Sequence, residues 1–220
     1  MGTPRQIINP LHRATARDYV GRMVNDKVAC MEAASKYDVD YWDGDRSTGY
    51  GGYRYDGRWA GVAARMIEAF ELRDGGSVLD VGCGKGFLLY ELTQKIALET
   101  AVGYDVSRYA IEHAKKEIKA RLSLQRAEAP FPADDNAFDL AYSLTTLHNL
   151  TLPDLKAALQ EMTRVSRHQY IVVESYRNAK ELFNLQCWAL TCESFFRPEE
   201  WRFLFDMFGY DGDYEFIFFE

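Results

Sequence analysis

The chain has 220 residues, 47% of them hydrophobic and 14% aromatic, which is enough for one domain of ordinary size with a substantial core. Its net charge is −7 and its 26 basic residues are dispersed, which excludes the concentrated positive surface of a nucleic-acid-binding protein. No apolar run approaches the roughly 18 residues of a membrane span, and the first residues lack the apolar core of a secretory signal, so we expect a cytoplasmic, non-membrane protein.

The first 75 residues have a composition of their own. Helical periodicity predicts helices over about 11–36 and 58–72, separated by a connector, residues 37–59, that mixes tyrosine, tryptophan and glycine. Aromatic side chains offer large surfaces at small entropy cost, and glycines let the backbone fold tightly. The connector is therefore either a lid and substrate wall over a pocket or an aromatic cap packed on the sheet. As a lid, it contributes the candidate substrate contacts Tyr41, Trp42, Tyr50, Tyr53 and Tyr55.

From residue 76 onward, short apolar runs alternate with amphipathic segments, which is typical of βα units around a mainly parallel sheet. The predicted strands are 77–81, 100–105, 122–126, 138–143, 169–174 and 213–219. The predicted helices between them are 86–97, 107–120, 153–166, 179–190 and 198–208. We expect one sheet domain over residues 58–220 with an N-terminal helical and lid extension over residues 1–57.

A glycine-rich turn follows the first predicted strand, with Asp80 at the strand end and glycines at positions 82, 84 and 86. Glycines allow a positive φ and a close approach to a ligand, and the helix that follows offers unpaired N–H groups. The dinucleotide fingerprint G-x-G-x-x-G would need a glycine at position 87, where this chain has Phe87. The turn predicts a ligand site that differs from the usual dinucleotide site.

The second predicted strand ends at Asp105. Ligands of open parallel sheets bind at the carboxyl ends of the strands, so we expect this carboxylate beside the glycine turn, where it can accept hydrogen bonds from both hydroxyls of a ribose. The same arrangement serves enzymes that bind NAD, and Asp105 can instead cap the helix that begins near Ser107. Asp105 alone therefore does not identify the ligand.

Together, these segments resemble the class I S-adenosylmethionine-dependent methyltransferases. The turn has the D-x-G-x-G-x-G form of the family's motif I, and residues 129–141 resemble its L-P-F-x-D-x-x-F-D segment before the fourth strand. The resemblance implies a doubly wound, mainly parallel, Rossmann-like α/β sheet of six or seven strands, with S-adenosylmethionine across the carboxyl ends of strands one, two and four. The residues that it assigns to the cofactor are Asp80, Gly82, Cys83, Gly84, Gly86, Asp105, Val106, Gln125, Arg126, Ala127, Ser143 and Leu144.

The stretch from Leu124 to Glu128 departs from the family pattern. The family usually has Asp-Ala there, with the Asp side chain accepting a hydrogen bond from the adenine amino group. In this chain Gln125 can accept through its amide oxygen, and Ala127 can donate its backbone N–H. Which of the polar residues faces adenine stays open at this stage.

Residues 143–150 resemble the family's S-x-x-x-L-H-H/N-L stretch, whose start lies under the reacting sulfonium. His148 is the one histidine of four at the carboxyl end of a predicted strand, where its ordinary pKa suits proton removal near neutral pH. It is the candidate catalytic base or a substrate contact, and a structural role is the alternative. Further candidate substrate contacts on the same rim are Glu174, Tyr176, Glu193 and Arg197.

The sequence thus predicts methyl transfer from S-adenosylmethionine to O or N of a small polar acceptor, such as a sugar or sugar nucleotide. Its four cysteines lack zinc-ligand spacing, and we expect no metal site. Two alternatives are an NAD(P)-dependent oxidoreductase or epimerase on a related sheet and a noncatalytic S-adenosylmethionine-binding partner subunit. The first is disfavoured by Phe87 and by the lack of a Tyr-x-x-x-Lys pair after the fourth strand. The oligomeric state does not follow from the sequence.

Overall fold

The computed structural model describes residues 2–220, and this part of the chain holds six strands in one parallel sheet. The strands are β1 (Ser77–Val81), β2 (Thr100–Asp105), β3 (Leu122–Leu124), β4 (Phe138–Leu144), β5 (Ser166–Ser175) and β6 (Asp213–Phe218). Their order across the sheet is β3-β2-β1-β4-β5-β6. The order reverses between β1 and β4, and ligands of such sheets bind at the crevice outside the carboxyl ends of these strands.

Helices cover both faces of the sheet. Those of the N-terminal part are α1 (Asn9–Arg13), α2 (Tyr19–Val24), α3 (Lys27–Ala34), α4 (Val39–Trp42) and α5 (Ala60–Ala69). The others are α6 (Phe87–Lys95), α7 (Arg108–Glu112), α8 (Lys116–Lys119), α9 (Leu152–Val165), α10 (Ala179–Trp188) and α11 (Pro198–Phe208). Within residues 2–220 no helix has both the length and the apolar character that a membrane crossing requires.

The core consists of two apolar layers, one on each face of the sheet. Because successive strand residues point to opposite faces, Val78 and Leu140 pack with α5 and α6, whereas Leu79 and Ala141 pack with α9 and α11. Strands buried on both faces need continuous apolar runs, which is why the sequence predicts them well. The predicted doubly wound, mainly parallel sheet is confirmed, with six strands and parallel pairing throughout the described strands.

The outer edge of β6 is covered by the N-terminal segment. The N–H of Arg5 donates to the carbonyl of Tyr214 at 2.8 Å, and the N–H of Tyr214 donates to the carbonyl of Thr3 at 3.2 Å. Farther along β6, the buried carboxylate of Glu215 accepts from three successive backbone N–H groups at residues 7–9. These bonds anchor the N-terminal segment and leave less of the β6 edge open to another strand.

Two predicted helices are interrupted. The region predicted as one helix over 11–36 forms α1, α2 and α3, because Asp18 caps a new helix by accepting from the Gly21 N–H and because Asp26 adopts a positive φ of 43°. The region predicted as one helix over 107–120 forms α7 and α8. Ser107 caps α7 by accepting from the Ala110 N–H. The division of the chain at residue 57 stays a prediction.

Candidate functional site

A cavity of about 550 Å³ opens at the carboxyl ends of β1, β2 and β4; we call it the larger cavity. Its volume lies within the range of small-molecule and cofactor sites. Ten of the predicted cofactor contacts line it: Asp80, Gly82, Cys83, Gly84, Asp105, Val106, Gln125, Arg126, Ala127 and Leu144. Gly86 and Ser143 lie outside this lining. Gly86 precedes α6 and packs against Ile118 and Leu122, and the fully buried Ser143 donates to the Val81 carbonyl.

The glycine turn requires glycine for conformation and for space. Gly82 and Gly84 adopt φ angles of 80° and 55°, which other residues rarely adopt. A Cβ atom on Gly82 would lie 2.2 Å from Oγ1 of Thr146, and one on Gly84 would lie 2.7 Å from the ring of Trp42. The turn therefore lets the backbone approach its neighbours more closely than any side chain would permit.

Asp80 is a buried carboxylate with few hydrogen bonds to offset its loss of contact with water. It lines the larger cavity, is 5% exposed, and accepts a hydrogen bond from the Tyr142 hydroxyl at 3.1 Å. Burial, aided by the nearby charge of Asp105, raises the pKa of Asp80 to about 8 although the Tyr142 hydrogen bond lowers it. A carboxylate in this setting gains from a cationic ligand group, which restores the stabilisation that water no longer provides.

Asp105 connects the glycine turn to the end of β2. Its two carboxylate oxygens accept from the backbone N–H groups of Gly84 and Ser107, each at 2.7 Å. Burial raises the pKa of Asp105, whereas these backbone hydrogen bonds oppose the shift. Each oxygen keeps a second lone pair, so the carboxylate can still accept from hydroxyl groups in the cavity.

The residues after β3 form the far end of the larger cavity. The Nε2 of Gln125 donates to the Pro130 carbonyl at 3.1 Å, and Arg126 is ion-paired with Glu128. Because the amide nitrogen of Gln125 is used in this hydrogen bond, its amide oxygen is available as an acceptor. Gln125 is thus better placed than Arg126 to accept from an amino group.

The connector contacts the glycine turn through an ion pair in which the lysine is buried and the aspartate is half-buried. Lys85, inside the turn and 4% exposed, donates through Nζ to both carboxylate oxygens of Asp43, at 2.8 and 2.6 Å, and to the Tyr53 carbonyl at 2.9 Å. Tyr109 donates to the same carboxylate at 2.9 Å. Although burial alone would raise it, these hydrogen bonds from Lys85 and Tyr109 hold the pKa of Asp43 below its ordinary value.

Aromatic rings of the connector form one side of the larger cavity. Trp42 stacks on Tyr50 with ring centroids 5.3 Å apart, and Tyr53 stacks on Phe87 at 5.0 Å. Phe87 stands at the position where the dinucleotide fingerprint has a glycine. Its ring packs against Tyr53 of the connector. Tyr55, a predicted substrate contact, lies outside the cavities and donates to Glu91 of α6 at 2.6 Å.

A second cavity of about 250 Å³ lies on the other side of these rings; we call it the smaller cavity. The two cavities share a wall formed by Tyr41, Tyr50, Tyr53, Trp59, Leu144, Thr145 and Asn149. Thr145, directly after β4, has a positive φ of 55°, which is an outlier for a β-branched residue. Its N–H donates to the Val172 carbonyl at 2.9 Å. Such backbone outliers concentrate at functional sites.

His148 and Glu174 lie together at the smaller cavity. The Glu174 N–H donates to Nδ1 of His148 at 3.4 Å, so the neutral ring carries its proton on Nε2, which lies 3.5 Å from Oε2 of Glu174. Burial lowers the pKa of His148 to about 3. Burial raises the pKa of Glu174 to about 7, against the opposing charges of Arg17 and Arg22. At neutral pH the imidazole is uncharged and the carboxyl is near its titration midpoint.

The remaining predicted contacts separate into two groups. Glu193 lines the larger cavity and donates its N–H to the His148 carbonyl at 3.0 Å. Arg197 and Tyr176 lie outside both cavities, where the exposed guanidinium of Arg197 lies over the Tyr176 ring at 5.7 Å.

Sequence reasoning missed the cationic residues of the smaller cavity, Arg17, Arg22 and Arg46, and the aromatic residue Trp188. They share no motif, because they meet only after short N-terminal helices and the connector pack on α10. Within residues 2–220, no group of three or more His, Cys, Asp or Glu side chains is arranged to hold a metal ion.

Comparison with known proteins finds a matching family model and methyltransferase relatives. Residues 78–169 match the family model described as a methyltransferase domain. Aklanonic acid methyltransferase DauC of Streptomyces sp. (strain C5) is 33% identical over 115 residues, which are 49% of this chain and 50% of that protein. The chain spans about half the length of the curated relatives it matches.

Solved structures share the fold. A putative methyltransferase from Bacillus halodurans has a TM-score of 0.55 at 17% identity, covering 67% of this chain and 68% of that chain. A chain from the complex between the Haloferax volcanii Trm112 methyltransferase activator and the putative methyltransferase has a TM-score of 0.54 at 21% identity, covering 70% and 73%. The family-model match over residues 78–169 and the methyltransferase relatives support a class I S-adenosylmethionine-dependent methyltransferase, and the solved structures show a shared fold.

Proposed function

We propose that this protein transfers a methyl group from S-adenosylmethionine to an oxygen or nitrogen of a small polar acceptor, sugars and sugar nucleotides being examples of that class. The cofactor would occupy the larger cavity and the acceptor the smaller one. The observation that carries the proposal is the wall that the two cavities share after β4. Transfer needs two molecules held so that their reacting atoms align, and adjoining cavities provide this arrangement.

The residues of the larger cavity suit the parts of the cofactor. The carboxylate of Asp80, which has few hydrogen bonds, suits the ammonium group of the cofactor. The carboxylate of Asp105 can accept from the ribose hydroxyls, and the amide oxygen of Gln125 can accept from the adenine amino group. When bound, S-adenosylmethionine supplies an electrophilic methyl group. The carboxylates of Asp80 and Asp105 are buried at this cavity, and partial removal from water strengthens the electrostatic contacts that they make with a ligand.

Glu174 is the proposed catalytic base for a hydroxyl acceptor, and His148 is its positioning partner. A base works best when its pKa lies near the working pH. The pKa of Glu174, raised by burial to about 7, meets this condition, whereas burial lowers the pKa of His148 to about 3 and makes its ring a weak base. The Glu174 N–H donates to Nδ1 of His148, and Nε2 of His148 lies 3.5 Å from Oε2 of Glu174, so the imidazole fixes the surroundings of the carboxyl group. An amine acceptor needs only to arrive neutral, so it depends less on Glu174.

Release of S-adenosylhomocysteine in the presence of small hydroxyl and amine acceptors tests this proposal. We expect turnover with at least one small acceptor and formation of the methylated product in equal amount, measured by mass spectrometry. The exposed variant Asp206→Asn on α11 serves as a control and should retain this turnover. Transfer only to peptides or nucleic acids, with none to small molecules, would contradict the proposed acceptor class.

A further inference from the structure

Three arginines converge on one tryptophan at the end of the smaller cavity. The guanidinium carbons of Arg22, Arg46 and Arg17 lie 4.0, 4.9 and 5.5 Å from the centroid of the Trp188 ring. All four residues line the cavity. Contact with the face of an indole is favourable for a cation, but it leaves the positive charge in place.

No carboxylate in residues 2–220 forms a salt bridge with any of these three arginines. Their hydrogen bonds, at 2.6 to 3.1 Å, go to neutral acceptors. These are the carbonyls of Arg46 and Gly49 for Arg22, that of Tyr50 for Arg46, and the carbonyls of His12 and Thr15 together with Nδ1 of His12 for Arg17. Such bonds orient the guanidinium groups without neutralising them. Arg22 is buried, Arg17 is half-buried and Arg46 is exposed. Burying a charge is costly unless a counter-charge joins it, and Glu174, whose charge acts on Arg17 and Arg22, offsets at most one of the three.

The cluster also holds unpartnered donors. The Nε atoms of Arg17 and Arg22 are buried and find no acceptor among the described residues, and Arg22 is only 8% exposed. Burial, together with the charge of Arg46, lowers the pKa of Arg22 to about 10, so it stays charged at neutral pH. An unpaired buried donor is rare in folded proteins and needs a partner, and an anion at the cavity wall would supply one.

The charge of the smaller cavity is opposite to that of the whole chain. Its lining contains four arginines, the three described and Arg58, against the one acidic residue Glu174. Arg58 is partly neutralised because it pairs with Asp56 at 2.5 Å on the exposed side. In a chain of net charge −7, this local excess of positive charge selects negatively charged ligands.

We propose that the methyl acceptor is an anion whose carboxylate or phosphate group binds Arg17, Arg22 and Arg46 beside Trp188. Guanidinium groups match both anions through paired N–H donors. This inference rests on the proposed function, because it assigns the smaller cavity to the acceptor. The volume of about 250 Å³ fits a group of small-molecule size, and the tyrosine rings of the shared wall favour a flat or apolar body.

Calorimetric titration with benzoate, phenyl phosphate and the neutral benzamide tests the inference. We expect at least one of the two anions to bind at least 10-fold more tightly than benzamide, and the comparison between them distinguishes a carboxylate from a phosphate preference. Arg46→Gln and Arg17→Gln should each weaken binding of the preferred anion by about 10- to 100-fold, since each removes a charge-assisted contact. Arg22 is left unchanged because it also joins α2 to the connector.

The exposed Arg73, which is outside both cavities, supplies the matched charge control, so Arg73→Gln should bind the anion as the parent chain does.

Titration of every variant with S-adenosylhomocysteine separates this inference from the proposed function. Loss of anion binding with S-adenosylhomocysteine binding intact supports it. Equal binding of benzamide and the anions, or anion binding unchanged in both arginine variants, overturns it and leaves the cofactor site in place. Anion binding without S-adenosylhomocysteine binding to the parent chain supports the anion site and contradicts the proposed function.

Discussion

Replacement of Glu174 by Gln is expected to lower kcat for a hydroxyl acceptor by about 10²- to 10⁴-fold, the usual contribution of a general base. The amide keeps the shape of the side chain, and the hydrogen bond from the backbone N–H of residue 174 to His148 is unaffected. Substrate and cofactor affinities should change far less than kcat, because a general base acts on the proton that is transferred in the transition state. Steady-state kinetics with the identified acceptor provides the measurement.

The pH profile distinguishes Glu174 from His148 as the base. With the pKa of Glu174 raised to about 7, its carboxyl is mostly protonated at pH 5.5 and ionised at pH 8, so kcat/KM should rise as the pH passes through about 7. Glu174→Gln should remove this rise, and the exposed Glu199→Gln on α11 should preserve it. The assignment fails if His148→Gln abolishes turnover of the hydroxyl acceptor while Glu174→Gln leaves both the rate and the pH profile unchanged.

Replacement of Asp80 by Asn is expected to weaken S-adenosylhomocysteine binding by about 30- to 1,000-fold, because the partner of a buried ammonium group then loses its charge. Calorimetric titration measures the affinity, with Asp206→Asn as the exposed control. Gly84→Val tests the same site independently. Its side chain would meet the Trp42 ring and would adopt a strained positive φ, so it should also lower affinity. Micromolar binding retained in both variants would contradict the placement of the cofactor.

The protonation of Asp80 also makes the stability of the folded chain depend on pH. Burial raises the pKa of Asp80 in the folded chain to about 8, above its ordinary value of 3.8, so the folded state binds more protons than the unfolded state between these limits. The contribution of Asp80 to stability therefore falls as pH rises through this window. Without ligand, Asp80→Asn should lose less stability than the parent chain between pH 6.5 and 8.5 in urea unfolding. This result would also show that the variant folds.

The sheet and the cofactor cavity follow from local sequence. Strands buried on both faces form continuous apolar runs, and the residues at their carboxyl ends are brought together by the strand order itself. Asp80, Gly84 and Asp105 could be proposed as neighbours from this rule, and the structure joins Gly84 to Asp105 by a hydrogen bond of 2.7 Å. Helix interruptions were harder to predict, since the cap at Asp18 competes with an otherwise helical pattern.

The arginine cluster of the smaller cavity could not be predicted, because its residues come from separate segments. Arg17, Arg46 and Trp188 meet through packing, and no spacing in the sequence relates them. The ion pair of Lys85 and Asp43 likewise joins two segments that no sequence spacing relates. His148 illustrates a different limit: its position after β4 is local information, but the lowering of its pKa depends on burial by the completed fold.

Titration of the parent chain with S-adenosylhomocysteine, and separately with NAD, tests most directly whether the cavity at the ends of β1, β2 and β4 is a methyltransferase cofactor site. We predict binding of one S-adenosylhomocysteine per chain with micromolar affinity and no binding of NAD. Binding of NAD in the absence of S-adenosylhomocysteine binding would contradict the account.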